Sequence, residues 1–250
     1  MTRLLATTAL ALSLTLPAAA LDLTAMSDAE RNAFRAEVKA YLLENPEVML
    51  EVFKVLEDKQ AQAEASADIE LVQAHKADLM QNPADWVGGN PQGDITLVEF
   101  LDYRCGYCRK AYTEVEELVK SDGNIRLIFK EYPILGEESL TSAKFAIATR
   151  LVAGDEAYKK AHDALIALRG DATPEAMSAL ATELGLDAPA ILAKMESPEV
   201  KAVIDANHAL GMAMQINGTP SFVIEGAMLR GYVPLEGMRE IVESERASKG

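Results

Sequence analysis

An apolar run, Ile95 to Leu101, leads through Asp102-Tyr103-Arg104 into Cys105-Gly106-Tyr107-Cys108, and from Cys108 to about Val119 the pattern turns helical. A C-x-x-C at a strand-to-helix junction is a redox placement. These are the chain's two cysteines. Standing so close together, they close almost no loop, so a bond between them would add little as a staple. Reactivity is the better account. Cys105 falls at a helix N-terminus, where unpaired N–H groups and the macrodipole favour a thiolate. Arg104, Arg109 and Lys110 add positive charge in the same direction. The thiolate is the attacking species, so Cys105 is the expected nucleophile. Cys108, one turn on and more buried, is the expected resolving thiol.

A metal site is the competing use of such a pair. Structural zinc takes four ligands, and His75, His162 and His208 are scattered without ligand spacing. Two thiolates can hold a soft ion such as Cu(I); no metal or cofactor is expected in the resting protein. Two further features fit redox work. Glu99 interrupts the apolar strand six positions before Cys105. Beneath the thiols, burial would raise its pKa and let it relay the proton of Cys108; at a sheet edge it would simply face solvent. Gly218-Thr219-Pro220-Ser221-Phe222 precedes a late hairpin. A proline can head a strand because its missing N–H falls outside the ladder. In a tight turn it can be cis; otherwise it is an ordinary loop proline.

The N-terminus bears on where the thiols work. One basic residue, Arg3, precedes the apolar run Leu4 to Leu16, and Pro17 is followed by Ala18-Ala19-Ala20. That order predicts a signal peptide over residues 1–20, cleaved after Ala20; the run is shorter than the roughly 20 apolar residues of a membrane span. An exported protein meets conditions in which disulfides persist, so a periplasmic location is expected. The formal charge of −15 excludes a nucleic-acid binder, which needs a basic face.

The mature chain divides in two. Ser27-Asp28-Ala29-Glu30 reads as a capping box, opening a helix to about Leu43. Asn45-Pro46 restarts the chain into a second helix towards Met80, with Asn as its N-cap. Val38, Leu42, Met49, Val52 and Leu56 form a coiled-coil-like seam. Residues 21–81 are thus expected to form a helical arm, either packed on its own domain or making a homo-oligomer. Asn82 to Gly93 is rich in turn residues and reads as a linker. Residues 94–250 are the expected catalytic unit: β-α-β, an all-helical insertion at about 139–214, then a hairpin around Glu225-Gly226 and a last helix.

FLDYRCGYC after an apolar strand, a helical insertion, then NGTPSFVI before a hairpin resemble the DsbA-type branch of the thioredoxin superfamily. The resemblance covers roughly Asp94 to Arg246. It implies an α/β, thioredoxin-like fold with a helical insertion, and it implies thiol-disulfide exchange with protein substrates. Pro220 then matches the family's cis-proline beside the thiols, Thr219 would offer backbone groups to an extended substrate, and Glu99 matches the buried acid. Gly106 and Tyr107, between the thiols, would border that substrate. The helical extension with its Glu-Asn-Pro-Glu turn resembles the ScsC-like (suppressor of copper sensitivity) proteins, some of which oligomerise through it. Strong oxidases of the branch carry Pro-His between the cysteines. Gly106-Tyr107 with Thr219-Pro220 is instead similar to the disulfide isomerase DsbC. The implied activity is therefore isomerase or reductase, with a DsbA-like dithiol oxidase as the alternative, and with a membrane redox partner resetting the pair. A soft-metal-binding or chaperone-like protein is the competing class.

Overall fold

The computed structural model describes residues 24–249, so the expected signal peptide lies outside the described residues. Two compact units divide between Lys59 and Gln60. In the first unit, α1 (Asp28–Glu44) opens on Ser27, whose hydroxyl accepts from the Glu30 amide while the Glu30 carboxylate accepts from the Ser27 amide at 2.8 Å. That is the capping box read from the sequence. Asn45 does not cap the next helix: its side-chain amide turns back to the Tyr41 carbonyl at 2.9 Å and closes α1. The second helix, α2 (Glu47–Ala74), starts after Pro46 and runs through the unit boundary.

The second unit is built on a five-stranded sheet in the order β1-β3-β2-β4-β5. Its strands are β1 (Trp86–Gly89), β2 (Ile95–Leu101), β3 (Ile125–Glu131), β4 (Ser221–Ile224) and β5 (Ala227–Arg230). Only β2 and β3 are parallel, joined through α4 (Gly106–Asp122). The other neighbours are antiparallel. Between β3 and β4 lie five helices: α5 (Glu137–Ala153), α6 (Asp155–Ala167), α7 (Pro174–Glu183), α8 (Ala188–Met195) and α9 (Pro198–Ala213). The chain ends in α10 (Leu235–Ser248). Mixed α/β order, a central sheet and an all-helical insertion make a thioredoxin-like fold.

Six of the seven residues of β2, and six of the seven of β3, are buried, so the sheet must be covered on both faces. One face carries Leu97, Leu101, Leu127 and Phe129 under α4, α10 and the insertion. The other carries Val98, Phe100, Ile128 and Val223. Its cover includes Val72 of α2 and Leu79 and Met80 of α3 (Lys76–Met80). The end of the stretch read as an arm is thus core. The presumed linker also contains a strand: Trp86 stacks on Phe129 at 5.0 Å and its indole N–H donates to the Asp155 carbonyl, seating β1 on the free edge of β3.

Candidate active site

The thiols sit where β2 gives way to α4. Cys105 is the N-cap of α4, with extended backbone (φ −75°, ψ 119°), and the Arg109 amide donates to its carbonyl at 3.2 Å. Cys105 is 8% exposed and Cys108, a turn further into the helix, 1%. Gly106 and Tyr107 lie at the surface between them, Tyr107 62% exposed.

Strand register explains why residues far apart in sequence meet here. β4 runs antiparallel to β2 with Phe100 opposite Ser221, which sets Thr219-Pro220 beside the end of β2. The Thr219–Pro220 peptide is cis, and the Cys105 thiol donates to the Thr219 carbonyl at 3.0 Å. Three of the residues expected to act together, Cys105, Cys108 and Thr219, are therefore in one cluster, with Pro220 buried next to them.

Hydrogen bonds set the acid strengths. Donation from the Cys108 thiol is the largest influence on Cys105 and, against burial, holds its pKa down at about 5, with help from the Thr219 side chain and the amides of Cys108 and Tyr107. The Thr219 Oγ1 is itself buried with no hydrogen-bond partner among the described residues. Cys108 is pushed the opposite way by the same bond, then by burial and the charge of Glu99. The expected contribution of Arg104, Arg109 and Lys110 to the thiolate is minor beside these bonds.

Glu99 lies on the central strand β2, fully inside, so the solvent-facing alternative does not hold. Burial first, then Glu116, Cys105 and Glu131, raise its pKa to about 8. Glu131 is a second buried acid, likewise raised to about 8 by burial. It sits diagonally from Glu99 on the same sheet face, since Glu99 pairs with Phe129 and Leu101 with Glu131. Its Oε1 accepts from the hydroxyls of Tyr103 (2.7 Å) and Tyr158 (2.6 Å). His162 reaches the Tyr103 hydroxyl through Nδ1 at 3.0 Å, and burial lowers its pKa to about 3. His162 is thus a neutral core residue.

Asp102 is the residue sequence reasoning missed. Its Oδ1 accepts from the Arg104 amide (2.8 Å) and Ser139 hydroxyl (2.7 Å), and its Oδ2 from the amides of Ile134 (2.9 Å) and Leu135 (3.1 Å). Its own amide approaches Cys108 Sγ at 3.5 Å. It shapes the active-site loop and clamps it to the start of α5. The bond to Arg104 is an Asx turn, which an Asp two residues ahead signals; the bonds to residues 134–139 have no local signature.

A parallel-and-antiparallel sheet with a reactive C-x-x-C at the end of its central strand and a cis-proline against the thiols defines a thioredoxin-type redox protein. The chain matches the thioredoxin family over residues 81–244 and belongs to it. Residues 30–63 match the N-terminal domain of the copper resistance protein ScsC. Among solved structures, a thioredoxin-like oxidoreductase from Silicibacter pomeroyi DSS-3 is 42% identical, covering 70% of this chain and 98% of its own, with a TM-score of 0.64. The thiol-disulfide exchange protein alpha-DsbA2 from Wolbachia pipientis shares the fold at 24% identity, covering 73% and 97%, with a TM-score of 0.68. A linker-deletion variant of Proteus mirabilis ScsC shares it at 20% identity over 91% and 100%, with a TM-score of 0.67. Curated relatives include the Na(+)/H(+) antiporter NhaA of Herminiimonas arsenicoxydans, 26% identical over 196 residues. That match takes in 78% of this chain but 30% of the antiporter, so the chain spans about a third of that relative's length.

Proposed function

We propose that this protein exchanges disulfides with other proteins and works as an isomerase or reductase. The observation that carries the reading is the opposed acidity of the two thiols, Cys105 held down and Cys108 pushed up by one shared hydrogen bond. At neutral pH Cys105 is a thiolate ready to attack a substrate disulfide. The substrate S–S bond breaks, a Cys105–substrate disulfide forms, and one substrate thiolate leaves. Either that thiolate re-attacks elsewhere in the substrate, which isomerises it, or Cys108 resolves the complex. In the second case Cys108 gives its proton to the fraction of Glu99 that is ionised near neutral pH, its pKa being about 8, and attacks Cys105 Sγ. The Cys105–Cys108 disulfide forms, and the substrate leaves reduced by two electrons. Thr219 and Pro220, with Gly106 and Tyr107, border the approaching chain.

Redox poise supports a two-way exchanger. A thiolate is the more oxidising the more its reduced form is stabilised. About 5 for Cys105 falls between the values near 7 of thioredoxin and near 3.5 of DsbA. Export through residues 1–20 into the periplasm, and resetting by a membrane redox partner, complete the reading. Cys105→Ser is expected to abolish both insulin reduction and refolding of scrambled ribonuclease. A variant that kept both activities would overturn the proposal, and wild-type protein active only in oxidising reduced substrates would move it to a dedicated oxidase.

A further inference from the structure

The chain carries 39 acidic against 24 basic side chains, yet guanidiniums gather on one side of Cys105. Arg104 sits directly before the nucleophile, and its Nη1 donates to the Gly170 carbonyl at 2.9 Å, which brings the neighbouring Arg169 to the active-site loop. Arg109 lies one helical turn after Cys105, its Nε anchored on the Tyr103 carbonyl at 3.1 Å. Burial and the charges of Arg104 and Arg169 lower the pKa of Arg109, which also feels the charge of Cys105.

The two acids that bind the active-site loop are already engaged, and Asp171, after Gly170, lies exposed. Glu138 pairs with Arg104 at 2.8 Å. Asp102, which also attracts Arg109, is buried and accepts four hydrogen bonds from the loop and α5. Among the described residues neither Arg109 nor Arg169 has an ion-pair partner. The thiolate is held chiefly by hydrogen bonds from Cys108, Thr219 and the backbone, so its pull on Arg109 leaves most of this positive charge unanswered. Clustering like charges has a cost, so the cluster calls for an opposite charge that the fold does not supply.

We infer that Arg109 and Arg169, with Arg104 behind them, form an anion subsite that selects substrate disulfides bearing a carboxylate beside the sulfur attacked by Cys105. The inference rests on the disulfide-exchange reading above. A guanidinium takes a carboxylate through two parallel N–H···O bonds. Docked there, the substrate presents its S–S bond to Cys105; the thiolate forms one new S–S bond, and the displaced sulfur leaves with the electron pair as a thiolate. The chemistry is shared by acidic protein segments and by small anionic disulfides.

The test traps the first step. In a Cys108→Ser background the Cys105–substrate disulfide accumulates, and its rate of formation is read by mass spectrometry. One arm compares oxidised glutathione with the uncharged bis(2-hydroxyethyl) disulfide; the other compares two peptide disulfides that differ by Glu or Gln next to the cysteine. Taking the ratio of anionic to neutral rates removes any change in thiolate population, which affects both substrates alike. Arg109→Gln and Arg169→Gln are each expected to lower that ratio by about threefold or more, and Arg169→Lys, which keeps the charge but not the two-pronged donor, to lower it by less. Raising the salt should lower the wild-type ratio as well. A fall in both arms supports the subsite; a fall in one arm supports it and names the source of the carboxylate. Ratios unchanged in both arms overturn the subsite and leave the exchange reading standing. If none of the disulfides reacts, the exchange reading itself fails.

Discussion

Cys105 and Cys108 share one local helix turn but not one environment, and Glu99, on the strand that leads to them, is set by burial. The chemistry of Glu99 has a thermodynamic signature. Burial holds its pKa near 8 in the folded protein, whereas an unfolded glutamate titrates near 4.3. Between those two values the folded state binds more protons than the unfolded state, so stability falls as pH rises through that window. Glu99→Gln removes this contribution. Relative to wild type, the variant should gain stability in chemical denaturation on going from pH 5 to pH 8, by at most about 1.4 kcal/mol per pH unit. A difference that stays flat across those pH values would mean that Glu99 is not held protonated. Glu131 carries a slope of the same sign, whereas Cys105, held below its free value, carries the opposite one, so the difference between wild type and Glu99→Gln is the quantity to read.

At the scale of elements, the sheet is tied to its cover by a buried ion pair. Lys130 of β3 is fully buried, and its ammonium donates to Asp85, just before β1, and to the Asp78 carbonyl of α3. Burial outweighs the attraction on both partners, raising Asp85 to about 6 and lowering Lys130. Asp85→Ala would leave the ammonium inside without its counter-charge and should cost about 3–5 kcal/mol, read as a lower urea midpoint. Lys130→Met in the same chain should return most of that loss. The apolar cores of β2, β3 and β4 were legible in the sequence because short apolar runs bounded by turn residues have few other readings. So was Glu99, as a charge out of place among them. β1 was not: Trp86-Val87-Gly88-Gly89 is brief, glycine-rich and set among turn residues, and it becomes a strand because the edge of β3 and the ring of Phe129 receive it. The same holds for Asp102 and Tyr103, whose partners lie 28 to 59 residues away, and for the break at His75 that turns the end of the long helix onto the sheet.

The whole molecule poses a question of valency. No residue of α1 is buried. Phe34, Val38, Tyr41 and Leu43 on α1, and Leu50, Phe53 and Leu56 on α2, are each 41–71% exposed. Isolated helices with so much bare apolar surface are seldom left uncovered in a soluble protein. We propose that the cover is the same segment of further copies of this chain, which would set several Cys105 thiols around one substrate. Sedimentation should then give a multiple of the protomer mass, and removal of residues 21–59 should give a monomer that still reduces insulin but refolds scrambled ribonuclease poorly. A full-length monomer would end the proposal.

Trp86 is the chain's one tryptophan, buried at the edge strand, stacked between Phe129 and Tyr158 and hydrogen-bonded to Asp155. Nature has in effect installed a single intrinsic fluorophore on the seam between sheet and helical insertion. Its emission follows whether that seam is closed, which gives an optical channel for unfolding that is separate from any assay of the thiols.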